Sequence, residues 1–166
     1  MHGNRNGRVI KLLSRKATSE DAEVLMDLYC NHLTKHPPKE PQNITLWREK
    51  IAKFETDPMY NILLGELEGK AVSTVTLVVI ENLTRNLHSY AIIENVVTHS
   101  DFRGRGYAKI LMRKAIEIAA TLGCYKIMLQ TGSKEDKTLR FYENCGFNRN
   151  DKTGFVYWLI KPQSYT

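Results

Sequence analysis

Residues 92–108 read IIENVVTHSDFRGRGYA, and this stretch decides the fold. Its first half is a short apolar run, which is typical of a buried strand, and its second half is a glycine-rich turn. A helical pattern follows the turn, because apolar residues recur on one stripe of a helix. These residues are Ile110, Leu111, Ala115, Ile118, Ala119 and Leu122. The stretch therefore predicts a strand, a glycine turn and a helix N-terminus in direct succession.

The glycine turn favours a phosphate-bearing ligand. The first backbone N–H groups of a helix have no partner within the helix, and the helix dipole adds partial positive charge there. Gly104 and Gly106 allow close approach of an anion, and Arg103 and Arg105 add charge. The turn lacks the third glycine of G-x-G-x-x-G, and the chain has no nucleotide-hydrolysing P-loop motif. A pyrophosphate site is the prediction; a tight turn that binds nothing is the alternative.

Upstream of this stretch, the pattern predicts one strand followed by a helix. The strand covers residues 9–16. The helix is capped by Thr18 or Ser19 and runs to about His32, and Asp21 is placed to complete a capping box.

A proline-rich break at residues 36–41 separates this helix from a second one. Asn43 or Thr45 opens the second helix, which ends near Asp57. Three apolar runs after it predict an antiparallel meander, with a glycine turn between the first two. These runs are residues 60–67, 72–80 and 90–98.

The C-terminal part predicts a further strand at 125–130 and a short helix at 137–144, then a hairpin from residue 147 to residue 160. The long helix between two strands implies a parallel crossover. The fold class is therefore α/β with a mixed sheet flanked by helices. We expect residues 1–8 to be a disordered lead-in and residues 9–166 to form a single domain.

Composition limits the classes of protein that the chain can belong to. No apolar run approaches the roughly 20 residues of a membrane helix, so no membrane partner is expected. Cys30, Cys124 and Cys145 are too far apart for a C-x-x-C metal site, which indicates reduced thiols, a cytoplasmic location and no metal. The net charge of +6 allows a nucleic-acid partner, but no basic helix appears, so none is expected.

Two motifs resemble those of the GNAT acetyltransferase superfamily. Arg103-x-x-Gly106-x-Ala108 is similar to its motif A, [QR]-x-x-G-x-[GA]. Residues 141–147, FYENCGF, are similar to its motif B, F-Y-x-x-x-G-F. The predicted order of elements over residues 9–160 also matches that family.

The resemblance implies an acetyl-CoA-dependent N-acetyltransferase with a splayed sheet. In that fold two parallel strands part and the pantetheine arm lies between them; here they are the strand ending at Thr98 and the strand at 125–130. A homodimer is a family-level expectation. The residues implied to bind the cofactor are Val96, Val97, Thr98, Arg103, Gly104, Arg105, Gly106, Tyr107 and Ala108.

Acetyl transfer to an amine needs a base, an oxyanion donor and an acid for the leaving thiolate. By resemblance Tyr142 is the general acid. The alternative is a purely structural role, in which its ring packs against Phe141. Glu94 is the candidate base because it is a carboxylate in an apolar strand, and strand alternation puts it on one face with Val96 and Thr98 if no bulge intervenes. A solvent-facing role for Glu94 is equally open. The oxyanion donor is expected to be the backbone N–H of Val96 or Val97.

No sequence motif identifies the acceptor amine. His32 and His36 lie where the family usually builds its acceptor pocket, although surface roles suit them as well. Residues 123–127, together with motif B and Glu94, resemble glucosamine-6-phosphate N-acetyltransferases, but Asn95 stands where that subfamily carries an aspartate. We therefore expect a small-molecule or peptide amine. The alternative is a non-catalytic CoA-binding or regulatory module with the same fold.

Overall fold

Five strands form one open, mixed sheet in the computed structural model, which describes residues 11–33 and 37–160. The strands lie in sequence order, antiparallel from β1 to β4, and β5 pairs with β4 in parallel. The meander and the parallel crossover are thus confirmed. The strands are β1 Leu13–Lys16, β2 Tyr60–Leu67, β3 Lys70–Ile80, β4 Tyr90–Thr98 and β5 Ile127–Leu129. The expected lead-in at residues 1–8, the start of the first strand and His36 lie outside the described residues.

The residues predicted to cap the first two helices make capping hydrogen bonds in the structure. Thr18 donates its N–H to the carboxylate of Asp21 (2.8 Å), which is the predicted capping interaction, and Asn43 accepts from the N–H of Thr45 (3.0 Å). The helices are α1 Ala22–Asp27, α2 Ile44–Thr56, α3 Tyr107–Thr121 and α4 Asp136–Glu143. A 3-10 turn (Ser19–Asp21) precedes α1 and a π-helix (Leu28–Leu33) continues it; a second 3-10 turn (Ser100–Phe102) precedes α3. No helix in the described ranges combines the length and the apolarity needed to cross a bilayer.

Helices cover both faces of the sheet. Leu64 is fully buried in a cluster with Leu25, Leu28 and Ile51 from the α1 and α2 side. Its neighbour Gly65 faces the other way, because a Cβ added there would lie 3.4 Å from Leu111 of α3. Alternation along β2 therefore gives each face its own apolar core, and β4 runs between the two.

The C-terminal residues form a second compact unit, which begins at Gln130, while the first ends at Leu129. Helix α4 is the regular element of this unit, and Gly146 follows it with φ at 98°. The predicted hairpin over 147–160 is wrong for the described residues, since these carry no strand. A lone two-stranded hairpin is marginal without a covered face, and the apolar side chains here are exposed, with Phe155 at 91% and Leu159 at 91%.

Candidate active site

The glycine turn leads directly into α3 with its backbone open. Gly104 (φ 76°) and Gly106 (φ 82°) both adopt the left-handed conformation that favours glycine. Gly106 is the N-cap of α3, and no side chain among the described residues caps that end. A Cβ added to either glycine would meet nothing within 4 Å, so there is free space beside the turn. The unpaired N–H groups of the first turn of α3, including those of Tyr107 and Ala108, are thus suited to an anion.

The two arginines of the turn also have structural partners. Arg103 donates from Nε to the Thr98 carbonyl (3.1 Å) and from a terminal nitrogen to the His32 carbonyl (2.7 Å). Its own N–H bonds to the Ser100 carbonyl (3.4 Å). Arg105 donates to the Asp101 carbonyl (3.1 Å). Both guanidinium groups add positive charge at this end of the sheet, and Arg103 also ties the end of β4 to the π-helix.

The pairing of β4 with β5 stops before the end of β4. Their parallel pairing runs from Ala91 opposite Ile127 to Ile93 opposite Leu129, and there β5 ends. Residues 94–98 of β4 continue without β5 as a neighbour. This leaves one edge of β4 open over the residues expected to contact acetyl-CoA, in the manner of a splayed sheet.

A β-bulge in β4 corrects the predicted alternation. Glu94 pairs with Thr76 and Val97 pairs with Thr74, so Asn95 and Val96 together face a single residue of β3. Asn95 has φ at 52°, which is the left-handed conformation that such a bulge needs. The extra residue shifts the side-chain alternation by one position.

As a result, Glu94 shares its face with Val97 and not with Val96 and Thr98. Val97 is buried in the α1 and α2 core, whereas Thr98 bonds the hydroxyl of Ser73 (2.8 Å). The bulge also removes Val96 from the regular ladder with β3. The backbone N–H of Val96, one of the two candidate oxyanion donors, thus lies within the bulge.

The Glu94 side chain is exposed to solvent, as its alternative role requires, although its carboxyl is partly desolvated. Burial raises the pKa of Glu94 above its usual value. Burial also raises the pKa of Tyr60, and the charge of Glu94 adds to that rise. Glu94 pairs across the strands with Thr76, whose hydroxyl bonds that of Tyr29, and this places the Glu94 side chain on the α1 and α2 face. A raised pKa makes a carboxylate a better proton acceptor near neutral pH, which suits a general base.

His32 and His99 form a small cluster with Asp27 at the end of β4. Their rings pack at a tilt of 38° with centroids 3.9 Å apart, and His32 Nε2 lies 3.5 Å from the Asp27 carboxylate. The three side chains are close enough to be considered as metal ligands. However, Nδ1 of each ring accepts a backbone N–H, from Ser100 for His32 and from Asp101 for His99. Each neutral ring then carries its proton on Nε2, so the geometry favours a hydrogen-bonded cluster.

Tyr142 lies in α4, in the second unit. Its half-buried ring contacts that of Phe141 with centroids 5.1 Å apart. Its carbonyl accepts the N–H groups of Cys145 (3.0 Å) and Phe147 (3.2 Å), which closes the helix at motif B. The motif-B residues thus form the end of this helix and the turn after it.

An aromatic cavity of about 350 Å³ on the α1 and α2 face was not predicted. Its aromatic walls are Tyr29, Trp47, Phe54 and Tyr60, and Asn95 of the bulge reaches it. The signal was present as aromatic residues on the inward side of α2, Trp47 and Phe54, followed by Tyr60 at the start of β2. The periodicity of these positions is that of ordinary core, so the sequence alone does not distinguish a cavity wall from a packed core.

Comparison with known proteins decides the family. The family model described as "Acetyltransferase (GNAT) family" matches residues 23–147, well over half of the 166 residues. The chain belongs to the GNAT acetyltransferase family. The match includes β4, the glycine turn and both motifs, and it makes the protein an acyltransferase of the N-acetyltransferase type.

Individual relatives agree with the family match. A glucosamine 6-phosphate N-acetyltransferase of Trypanosoma brucei brucei is 28% identical over 146 residues, covering 86% of this chain and 90% of its own. A solved structure from Agrobacterium tumefaciens, assigned as an acetyltransferase, is 38% identical with a TM-score of 0.78, covering 88% of this chain and 99% of that one. The structure of glucosamine-6-phosphate N-acetyltransferase from Arabidopsis thaliana shares the fold with a TM-score of 0.75 at 22% identity, covering 89% of this chain.

Proposed function

We propose that this GNAT protein transfers the acetyl group of acetyl-CoA directly to a primary amine of a small molecule or peptide. The observation that carries the proposal is the uncapped, glycine-lined N-terminus of α3 directly beside the open edge of β4. Acetyl-CoA supplies the activated thioester, and its pyrophosphate suits the N–H groups from Gly104 to Ala108. Val96, Val97 and Thr98 would hold the pantetheine arm along the open strand edge.

The chain's own residues then have distinct roles in the transfer. Glu94 accepts a proton from the amine, directly or through water, so that the nitrogen lone pair can form the new C–N bond. The N–H of Val96 or Val97 donates to the carbonyl oxygen as negative charge develops on it. As the C–S bond breaks, Tyr142 donates a proton to the departing thiolate. The role of Tyr142 is supported by its place in motif B.

Two further properties belong to this proposal. The three cysteines are free thiols, which is consistent with a cytoplasmic enzyme. A homodimer is the family-level expectation, and the exposed apolar side chains of Phe155 and Tyr157 (91% and 89%) offer surface for a second copy. Light scattering that returns the monomer mass at every concentration would refute the dimer.

A turnover assay tests the proposed activity. Full-length protein is incubated with acetyl-CoA and a panel of primary amines, and release of the CoA thiol and formation of the acetylated amine are measured together. We expect both in equal amounts with at least one amine. Tyr142→Phe should lower kcat by about 10²-fold or more, as loss of an acid catalyst does, whereas Tyr157→Phe, at an exposed position, should not. Binding of acetyl-CoA with no transfer to any amine would instead support the non-catalytic alternative.

A further inference from the structure

The cavity on the α1 and α2 face indicates which kind of amine is acetylated. It has a volume of about 350 Å³, which is within the size range of small-molecule sites, and four aromatic side chains form much of its wall. We propose that this cavity takes a primary amine with an aromatic body, of the arylalkylamine class. This inference rests on the proposed acetyl transfer, because it assigns the acceptor of that reaction.

The aromatic walls are held in place by each other and by the sheet. Phe54 and Tyr60 stack with centroids 3.7 Å apart and planes within 10°. Tyr29 and Trp47 pack with centroids 6.1 Å apart, and the Tyr29 hydroxyl already bonds that of Thr76 (3.2 Å). The cavity therefore offers flat, preorganised apolar surfaces, against which an aromatic ring packs well.

The polar lining is too sparse for a sugar phosphate. Among the residues that the structure describes, Lys50 is the only charged one in the wall, and the remaining non-aromatic positions are mostly aliphatic, such as Leu25 and Ile51. No arginine of the described residues lines the cavity to hold a phosphate with two parallel bonds. The several hydroxyl groups of a sugar would also lose their bonds to water without gaining enough partners. This site is thus poorly matched to the substrate in the names of the curated relatives.

The position of the cavity connects it to the proposed base. Asn95, in the bulge of β4, lines the cavity and follows Glu94 directly in the chain. The charge of Glu94 also contributes to the raised pKa of Tyr60, which lies on the cavity wall. An arylalkylamine with its ring between the aromatic walls can therefore direct its amino group toward β4, where Glu94 and the open strand edge lie.

A substrate comparison tests the inference. With full-length enzyme and saturating acetyl-CoA, kcat/KM is measured for 2-phenylethylamine and for glucosamine 6-phosphate by release of the CoA thiol. We expect the aromatic amine to be preferred by about tenfold or more. Preference for glucosamine 6-phosphate, or turnover of other amines but not of 2-phenylethylamine, would overturn the inference and leave the proposed activity standing. No transfer to any amine would instead overturn the proposed activity.

Variants of α2 locate the effect in the cavity. Trp47→Ala should raise KM for 2-phenylethylamine by about tenfold or more, while KM for acetyl-CoA stays the same. Trp47→Leu keeps apolar volume in the wall and serves if the alanine variant does not fold. Glu49→Ala, at an exposed position on the same helix, is the matched control and should behave as wild type. If the folded Trp47 variant has an unchanged KM for 2-phenylethylamine, the assignment of the cavity is contradicted.

Discussion

Glu94 illustrates how one extra backbone residue changes the face of a strand on which a candidate catalytic side chain lies. The bulge at Asn95 and Val96 turns Glu94 and Val97 to the same face, beside Tyr60 and the aromatic cavity. It also takes Val96 out of the regular ladder. The bulge in β4 thereby sets the positions of both the proposed base and one proposed oxyanion donor.

Replacement of Glu94 by glutamine tests the base directly. Glu94→Gln should lower kcat/KM at neutral pH by about 10²-fold or more, because the amine loses its proton acceptor. In the wild type, activity should fall as the pH drops through the pKa of Glu94, since only the carboxylate accepts a proton. Burial raises that pKa, so the midpoint of this acid limb should lie above the ordinary value of 4.5.

Glu81→Gln, in the exposed loop between β3 and β4, provides the matched control and should keep both the rate and the acid limb. A Glu94→Gln enzyme with full activity and an unchanged pH profile would exclude Glu94 as the base.

The type of residue at this site was predictable, but its exact face was not. A carboxylate within IIENVV stands out by composition alone, so Glu94 could be found in the sequence. Simple alternation then grouped it with Val96 and Thr98, which is wrong. A bulge depends on how β4 pairs with β3, and the residue types at Asn95 and its neighbours do not predict one.

At the scale of elements, the glycine turn between β4 and α3 is the feature on which the proposed binding of acetyl-CoA depends. Gly106 and Gly69 provide a matched pair, because both have positive φ (82° and 78°) and both have open space where a Cβ would be. Gly106 caps α3, whereas Gly69 lies in the hairpin between β2 and β3.

Alanine at either glycine should therefore cost about 1–2 kcal/mol of stability through the left-handed backbone. Only Gly106→Ala should also raise KM for acetyl-CoA, by about tenfold or more, since its methyl group and any backbone shift disturb the anion site. Melting temperature and KM are measured for both variants. If the two variants change KM for acetyl-CoA equally, the turn is not the cofactor site.

Elements with local signals were predicted well. The capping residues Thr18 and Asn43 marked two helix starts, and hydrophobic alternation marked the meander. The hairpin over 147–160 failed because strand propensity without a partner strand does not determine pairing. The aromatic cavity was missed for a similar reason: its wall residues come from helices and strands that are distant in sequence.

At the scale of the whole molecule, the net charge of +6 leaves two classes of polyanionic partner to compare. Membership of the GNAT family and the open turn before α3 favour CoA, whereas a basic surface by itself favours nucleic acid. Two short motifs in the right order were enough to predict the family from sequence. The proposed class of acceptor could be inferred only from the three-dimensional arrangement of α2, β2 and β4 around the cavity.

Thermal unfolding of the full chain with each ligand tests the central claim most directly. A ligand that binds only the folded state at about 100 times its Kd adds about 2.7 kcal/mol of stability. For a chain of this size, that raises Tm by roughly 5–10 °C. We predict such a rise with acetyl-CoA and with CoA, and none with a short DNA duplex at the same ionic strength. An unchanged Tm with both CoA species would contradict the account.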